Sequence, residues 1–340
     1  MLKKVLPLSS ILAMRFLGLF IVMPVLSAYA LGLKGADEVL VGAVIGGYAL
    51  TQMLFVLPFG ILSDKIGRKA ALVIGLVIFA VGSVVCAVAD DIYWLLFGRF
   101  LQGAGAIAAV VTAMISDSTP EHMRARAMAV MGGSIGVSFA LAMVLGPLIG
   151  GHYGVDKLFW LTALLAFGAI AVVLTKVGPS DRISHGYESE GMSSVLQNKA
   201  LMKMNVTHFL QKGYMTIAFL VIPIQMASKF GWVPGELYKA YLPAMVLGLA
   251  AMGLGAVTGE KKGRYKEIFV LSIVLFAFSF ILMLSSSQTV FILGVVLFFT
   301  AFNMFEPLMQ SLTSKYARVH QRGAALGLAN SFAYLGTFVG

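Results

Sequence analysis

Eleven stretches of this 340-residue chain are apolar for long enough to cross a lipid bilayer as helices, and no other feature constrains its fold as tightly. A helix needs about 20 apolar residues to span roughly 30 Å of hydrocarbon. The runs fall at 6–31, 38–62, 70–89, 92–117, 125–150, 157–176, 204–227, 237–258, 266–286, 289–313 and 323–340. Backbone polar groups in hydrocarbon must be satisfied inside a helix or a closed barrel. Barrel strands alternate in segments of about ten residues, whereas these runs are continuous, so the expected class is an all-α integral membrane protein. Only 12% of the residues are charged, against about a quarter in soluble domains.

Lys and Arg set the expected orientation, because cytoplasmic loops carry the positive excess. With the N-terminus inside, 18 basic residues fall in the cytoplasm and only Lys34, Lys157, Lys229 and Lys239 outside. The formal net charge of +10 is therefore topogenic, and no basic face on a soluble domain points to nucleic acid. Three basic residues, Arg15, Arg99 and Lys212, lie inside expected spans. The first run has Lys3, Lys4 and Ala28-Tyr29-Ala30, as a signal peptide would, but its length and Arg15 mark it as an uncleaved first helix. The expected localisation is a bacterial-type inner (plasma) membrane, crossed many times.

The longest hydrophilic stretch divides the chain into an N-terminal bundle of six helices at 1–176, a cytoplasmic linker at 177–203 and a C-terminal bundle at 204–340. A short interfacial helix is expected near Met192 to Lys199. At an offset of 196 residues Asp64-Lys65-Ile66-Gly67-Arg68 falls on Glu260-Lys261-Lys262-Gly263-Arg264, and Arg126 and Ala129 fall on Arg322 and Ala325. Coincidence between basic loops is the alternative. Repeats in the same orientation imply a pseudo-twofold axis along the membrane normal and a substrate site near the midplane. Two six-helix halves call for a twelfth span, so the expectation is that the chain is truncated at Gly340.

The loop after the second run reads Gly60-Ile61-Leu62-Ser63-Asp64-Lys65-Ile66-Gly67-Arg68-Lys69. It resembles the signature loop of the major facilitator superfamily, and the degenerate copy at Glu260 to Arg264 sits where that superfamily places one. Arg99-Phe100-Leu101-Gln102-Gly103 is similar to its Arg-x-x-Gln-Gly motif. Gly146-Pro147-Leu148-Ile149-Gly150-Gly151 is similar to the motif of its antiporters, with Ala142 where the pattern has another Gly. Arg15, Leu17-Gly18, Met23-Pro24-Val25-Leu26 and Phe302-Asn303-Met304-Phe305-Glu306 resemble YajR-type members of its proton-coupled drug-efflux branch. The resemblance implies a fold of two six-helix bundles and transport by alternating access.

A charge in the membrane is costly and asks for a reason. Glu306 lies about 10 Å deep in the tenth run at 1.5 Å per residue, and Asn303, Glu306, Pro307 and Gln310 share one helical face. Such a stripe is expected to line a cavity, where a carboxyl group can take up and release a proton; the alternative is a permanent structural ion pair. Lys212 lies at similar depth in the seventh run, with His208 and Gln211. Because the seventh and tenth spans line the cavity in this superfamily, a pair between Lys212 and Glu306 that protonation breaks is expected; a snorkelling lysine is the alternative. The proton-coupling set is thus Glu306, Arg15, Arg99, Lys212 and His208, with Arg15 and Arg99 alternatively serving as polar ties between helices. Gln52, Gln102, Asn303 and Gln310 are the candidate substrate contacts. Gly60, Asp64, Gly67, Arg68 and Asp117 form the expected conformational latch, tying the second, fourth and eleventh spans. Gly146, Pro147 and Gly150 are read as close helix packing.

Neither a phosphate-binding Gly-x-x-x-x-Gly-Lys-Ser/Thr loop nor a zinc-binding His-Glu-x-x-His occurs, and Cys86 is the single cysteine. Gly103-Ala104-Gly105-Ala106 lies inside a span and is read as helix packing rather than a dinucleotide loop. No enzyme activity, cofactor or metal is expected; the expected partners are the bilayer, protons and a small hydrophobic or cationic solute, with the protein a monomer. Proton-coupled efflux of amphipathic or drug-like compounds is the first reading. A metabolite or sugar carrier of the same fold is the second, and a membrane sensor that transports nothing is the reading from another class.

Overall fold

The computed structural model describes residues 2–178, 192–261, 263–317 and 322–340. Among these residues there are helices and one isolated bridge, between Lys34 and Asp91. The expected linker residues 179–191, and the loop cations Lys262 and Arg318, lie outside the described residues. The chain divides into two compact units, Met1–Gly186 and Tyr187–Gly340.

The first unit contains α1 (Leu2–Ile21), α2 (Met23–Leu31), α3 (Glu38–Ile66), α4 (Arg68–Ala87), α5 (Ile92–Ala104), α6 (Ala108–Asp117), α7 (Glu121–Tyr153) and α8 (Val155–Lys176). Here α1 packs on α7 and α8, α3 on α5, and α4 on α5 and α8. The second contains α9 (Met192–Gln197), α10 (Lys199–Phe230), α11 (Tyr238–Ala256), α12 (Tyr265–Met283), α13 (Gln288–Tyr316) and α14 (Arg322–Val339). There α13 packs on α11 and α12, and α10 on α14. Among the described residues ten candidate spans are long and apolar enough to cross a membrane; the eleventh expected run is α14, whose Ala324–Val339 is a shorter apolar helix.

Two expected spans are each broken into two helices. The first breaks at Val22, where Pro24 at the start of α2 has no N–H to give back to the preceding turn. The fourth breaks at Gly105, because consecutive tight turns bond Ala106 N–H to the Ala104 carbonyl and Ile107 N–H to the Gly105 carbonyl. A Cβ at Gly105 would meet the Gly75 carbonyl of α4. The Gly103 to Ala106 stretch is thus a packed break in the helix rather than a continuous turn of it. The expected interfacial helix is α9, whose neighbour Asn198 caps α10 by accepting from Ala200 and Leu201 N–H.

Glycine lets the helices approach in both units. A Cβ at Gly82 of α4 would lie 2.8 Å from the Gly98 carbonyl of α5, and one at Gly98 would lie 2.9 Å from the Gly82 carbonyl. In the second unit Gly248 and Gly255 of α11 sit against Asn303 and Met304 of α13.

Candidate functional site

Two charged residues inside the spans of the second unit, Lys212 and Glu306, meet between α10 and α13. Lys212 Nζ of α10 donates to both carboxylate oxygens of Glu306 in α13, at 3.0 and 2.9 Å. Gln211 Nε2 donates to the same carboxylate at 3.0 Å. The Lys212 ammonium also stands 4.8 Å from the centre of the Phe302 ring, one helical turn before Glu306. Side-chain exposure is 20% for Lys212 and 35% for Glu306, so the pair is half-open, whereas His208 and Gln211 beside it are buried.

Local sequence explains the geometry. Gln211 and Lys212 are consecutive on α10, and both side chains donate to Oε2 of the same carboxylate. Pro307 follows Glu306 and has no N–H for the Asn303 carbonyl one turn back, which loosens α13 at the acid. One turn along α10 from Lys212, His208 Nε2 is 3.2 Å from Thr313 Oγ1. The single hydroxyl proton of Thr313 is given to the Met309 carbonyl at 2.8 Å, so Nε2 of His208 is the donor in that contact. Phe302 and Thr313 were not among the expected site residues. Both lie on α13 one and two turns from Glu306, and that spacing was the available signal.

The expected common face of α13 is split. Asn303 is buried, donates to the Phe299 carbonyl of its own helix at 2.8 Å, and faces Gly248 of α11. Gln310 is exposed. Asn303 therefore belongs to the seam between α11 and α13 rather than to an open substrate surface.

The charges of the first unit have a different setting. Arg15 is fully buried; its Nη2 donates to Gln52 Oε1 at 3.1 Å, and its guanidinium stands over Phe16 and Phe79 at 5.5 and 5.3 Å. Arg99, also fully buried, donates from Nε to the Val44 carbonyl at 3.1 Å and from Nη1 to Gln102 Oε1 at 2.7 Å. Its Nη2 reaches the Ile45 carbonyl and Met23 Sδ, and the Tyr48 ring lies 4.7 Å away. Gln102 passes the bond on to Ser83 Oγ at 2.9 Å, and Ser83 donates to the Phe79 carbonyl. Gln52 and Gln102 have no exposed surface; Gln102 is held by Arg99 and Ser83, and Gln52 accepts from Arg15, inside helix seams. Of the two readings of Arg99, its geometry is that of a tie joining α2, α3 and α5.

The signature loop clamps four helix ends. Arg68 Nε is 3.0 Å from Asp117 Oδ2 at the end of α6, and Nη1 is 3.5 Å from Asp64 Oδ1. Gly67, between α3 and α4, has φ of +95°, a backbone conformation that L side chains rarely adopt. Lys69 Nζ donates to the Leu174 and Val177 carbonyls at 3.1 and 2.8 Å, holding the end of α8. A Cβ at Gly60 would meet no atom within 4 Å, so close packing is not what glycine provides there. The packing glycines lie elsewhere: Gly146 of α7 sits against the Ile21 carbonyl where α1 ends, and Gly150 against Leu158 of α8 and Val25 of α2. Among the described residues no group of His, Cys, Asp and Glu is arranged to hold a metal ion.

The family model for the Major Facilitator Superfamily matches residues 8–340. The chain is 40% identical over 340 residues to the inner membrane transport protein YajR of Escherichia coli K12, covering 98% of this chain and 74% of the relative. It is 27% identical over 344 residues to the quinolone resistance protein NorA of Staphylococcus aureus, covering 96% and 84%. Its fold is similar to the crystal structure of a bacterial homolog of the human lysosomal transporter Spinster, with a TM-score of 0.78, 14% identity and coverage of 99% and 79%.

Proposed function

The chain belongs to the Major Facilitator Superfamily, and from that premise we propose that this multi-pass membrane protein expels amphipathic or drug-like solutes in exchange for protons, by alternating access. The observation that carries the reading is the half-open pair of Lys212 and Glu306 inside two apolar helices. Retaining two opposite charges in the membrane is costly, and their partial exposure lets water deliver a proton. Proton arrival at Glu306 removes the negative charge that holds Lys212, so the contact between α10 and α13 weakens. Proton release restores it. His208, donating to Thr313 in the next turn of the same helix pair, is the second protonatable group of the site.

For a gradient to drive export, proton and solute must favour different states of the carrier, as linkage demands. An amphipathic solute suits a site bordered by Phe302 and half-exposed charge. The sugar or metabolite reading depended on four amides, of which Gln52, Gln102 and Asn303 are buried. In this reading the protein works as a monomer in an inner membrane with its N-terminus in the cytoplasm, its partners being lipid, protons and the solute. The likeness to YajR, an inner membrane transport protein by name, supports transport, and the likeness to NorA, a quinolone resistance protein by name, supports a drug-like solute.

The test uses everted vesicles containing the full chain, energised to acidify the lumen and followed with a pH-sensitive dye while a panel of amphipathic dyes is added. Solute-dependent proton release is expected with the unaltered protein and none with Glu306→Gln. Accumulation of labelled solute by the unaltered protein without any proton movement would overturn antiport.

A further inference from the structure

Beside the signature loop, α3, α4 and α8 form a groove of about 520 Å³ on the surface of the first unit. Its walls are apolar: Ile66, Ala70, Val73, Ile74 and Leu174, with Lys69 at the rim. Ile66 and Ile74 are each 40% exposed and Leu174 57%, which is the surface an apolar chain of a lipid would cover. The groove opens at the loop end of the helices, since Gly67 joins α3 to α4 and α8 ends at Lys176.

The charges at that end are unbalanced. Lys65, Arg68 and Lys69 lie either side of the Gly67 turn, and Lys176 lies between the two α8 carbonyls that Lys69 holds, whereas Asp64 and Asp117 are both engaged by Arg68. Lys65 and Lys176 are exposed. Lys69 gives two of its three N–H groups to α8 carbonyls, which leaves one for a further acceptor. A soluble anion would satisfy the lysines and leave the apolar walls wet. A neutral lipid would cover the walls and leave the lysines without counter-charge.

We propose that this groove binds an anionic phospholipid, with an acyl chain along Ala70, Ile74 and Leu174 and the phosphate at Lys65, Lys69 and Lys176. Basic pockets between helices at a membrane surface take lipid headgroups in this way. The site rests on the membrane location of the chain and is independent of proton coupling. Lipid at this position braces the end of α8 against the signature loop from outside.

The experiment titrates the full chain, purified in detergent and stripped of lipid, with phosphatidylglycerol or with phosphatidylcholine of the same acyl chains, counting bound lipid by native mass spectrometry. Phosphatidylglycerol is expected to bind about tenfold more tightly than phosphatidylcholine, and each of Lys65→Gln and Lys176→Gln to weaken it about fivefold. Ile74→Trp fills the groove without changing its charge and is expected to remove the site for both lipids. The two exposed lysine variants keep the test decisive even where Ile74→Trp fails to fold. Equal binding of the two lipids, or phosphatidylglycerol binding that survives the lysine and tryptophan changes, would overturn the proposal. Displacement of the lipid by millimolar sodium phosphate would show a free-anion site instead, and a dimer mass abolished by Ile74→Trp would show that a second copy occupies the groove.

Discussion

The two units share a loop pattern but hold their buried charges in opposite ways. In the first, Arg15 and Arg99 have no exposed surface; Arg99 is satisfied by carbonyls, an amide and a ring, and Arg15 bonds an amide between two rings. In the second, Lys212 faces a carboxylate, and both groups remain partly exposed. A buried cation tied to neutral dipoles has nowhere to send its charge and works as a fixed tie. A half-open ion pair changes its attraction each time a proton arrives, so it suits switching. The loop differs in the same sense. Arg68 meets Asp117, whereas at the offset of 196 residues the position of Asp117 is taken by Thr313, which serves His208, and Arg264 turns to its neighbour Glu267 at 3.4 Å. The repeat kept its basic residues and lost the acid that made the first copy a clamp.

The largest effect that bears on this contrast is expected from Glu306→Gln, which removes the switching charge while keeping the shape of the side chain. Proton-coupled flux in vesicles should fall to that of vesicles lacking the protein, with the melting midpoint in detergent little changed. Loss of folding together with flux would make Glu306 a structural ion-pair member and erase the distinction between the units.

Next in size is Gly82→Leu, which forces a side chain onto the Gly98 carbonyl of α5. Overpacking of this kind costs about 3 kcal/mol, to be read as a large drop in thermal midpoint. Arg99→Met should follow, at about 2 kcal/mol, because Gln102 is left with a buried unpaired oxygen. If Arg99→Met instead keeps the midpoint and abolishes flux, Arg99 is part of coupling and the first unit is not merely a tie. The smallest change is expected from Asp117→Asn, which weakens a surface-accessible pair worth about 1 kcal/mol or less. The test there is whether limited proteolysis of the loop at 64–69 speeds up several-fold, as loss of a clamp requires.

Much of the fold was legible because hydrocarbon leaves a chain few choices. A run such as 70–89 is long, apolar and uninterrupted, and α4 at Arg68–Ala87 follows it closely. The breaks at Val22 and Gly105 were not legible, since Pro24 and Gly105 are also tolerated inside membrane helices and what settles the matter is a neighbour, as with the Gly75 carbonyl at Gly105. Lys212 and Glu306 could be paired from their similar depth together with the family resemblance, which puts both of their spans at the cavity. Depth could not tell which way Gln52, Gln102 and Asn303 point, because a polar residue at a given height serves equally well in a helix seam or at an open surface.

By itself the sequence determined that this protein lives in a membrane, where its chain is apolar enough to cross, which loop carries the signature of its family, and which few charges lie inside the apolar runs. These follow from composition and spacing, which the cost of exposing polar groups to hydrocarbon turns directly into structure. Only the tertiary structure decided what each charge touches: that Arg99 closes on carbonyls and Gln102, that Lys69 reaches across to α8, and that Phe302 and Gln211 complete the site of Lys212 and Glu306. Hydrogen bonds and ion pairs depend on ångström distances between helices far apart in the chain, and those distances are set by how glycines and side chains pack.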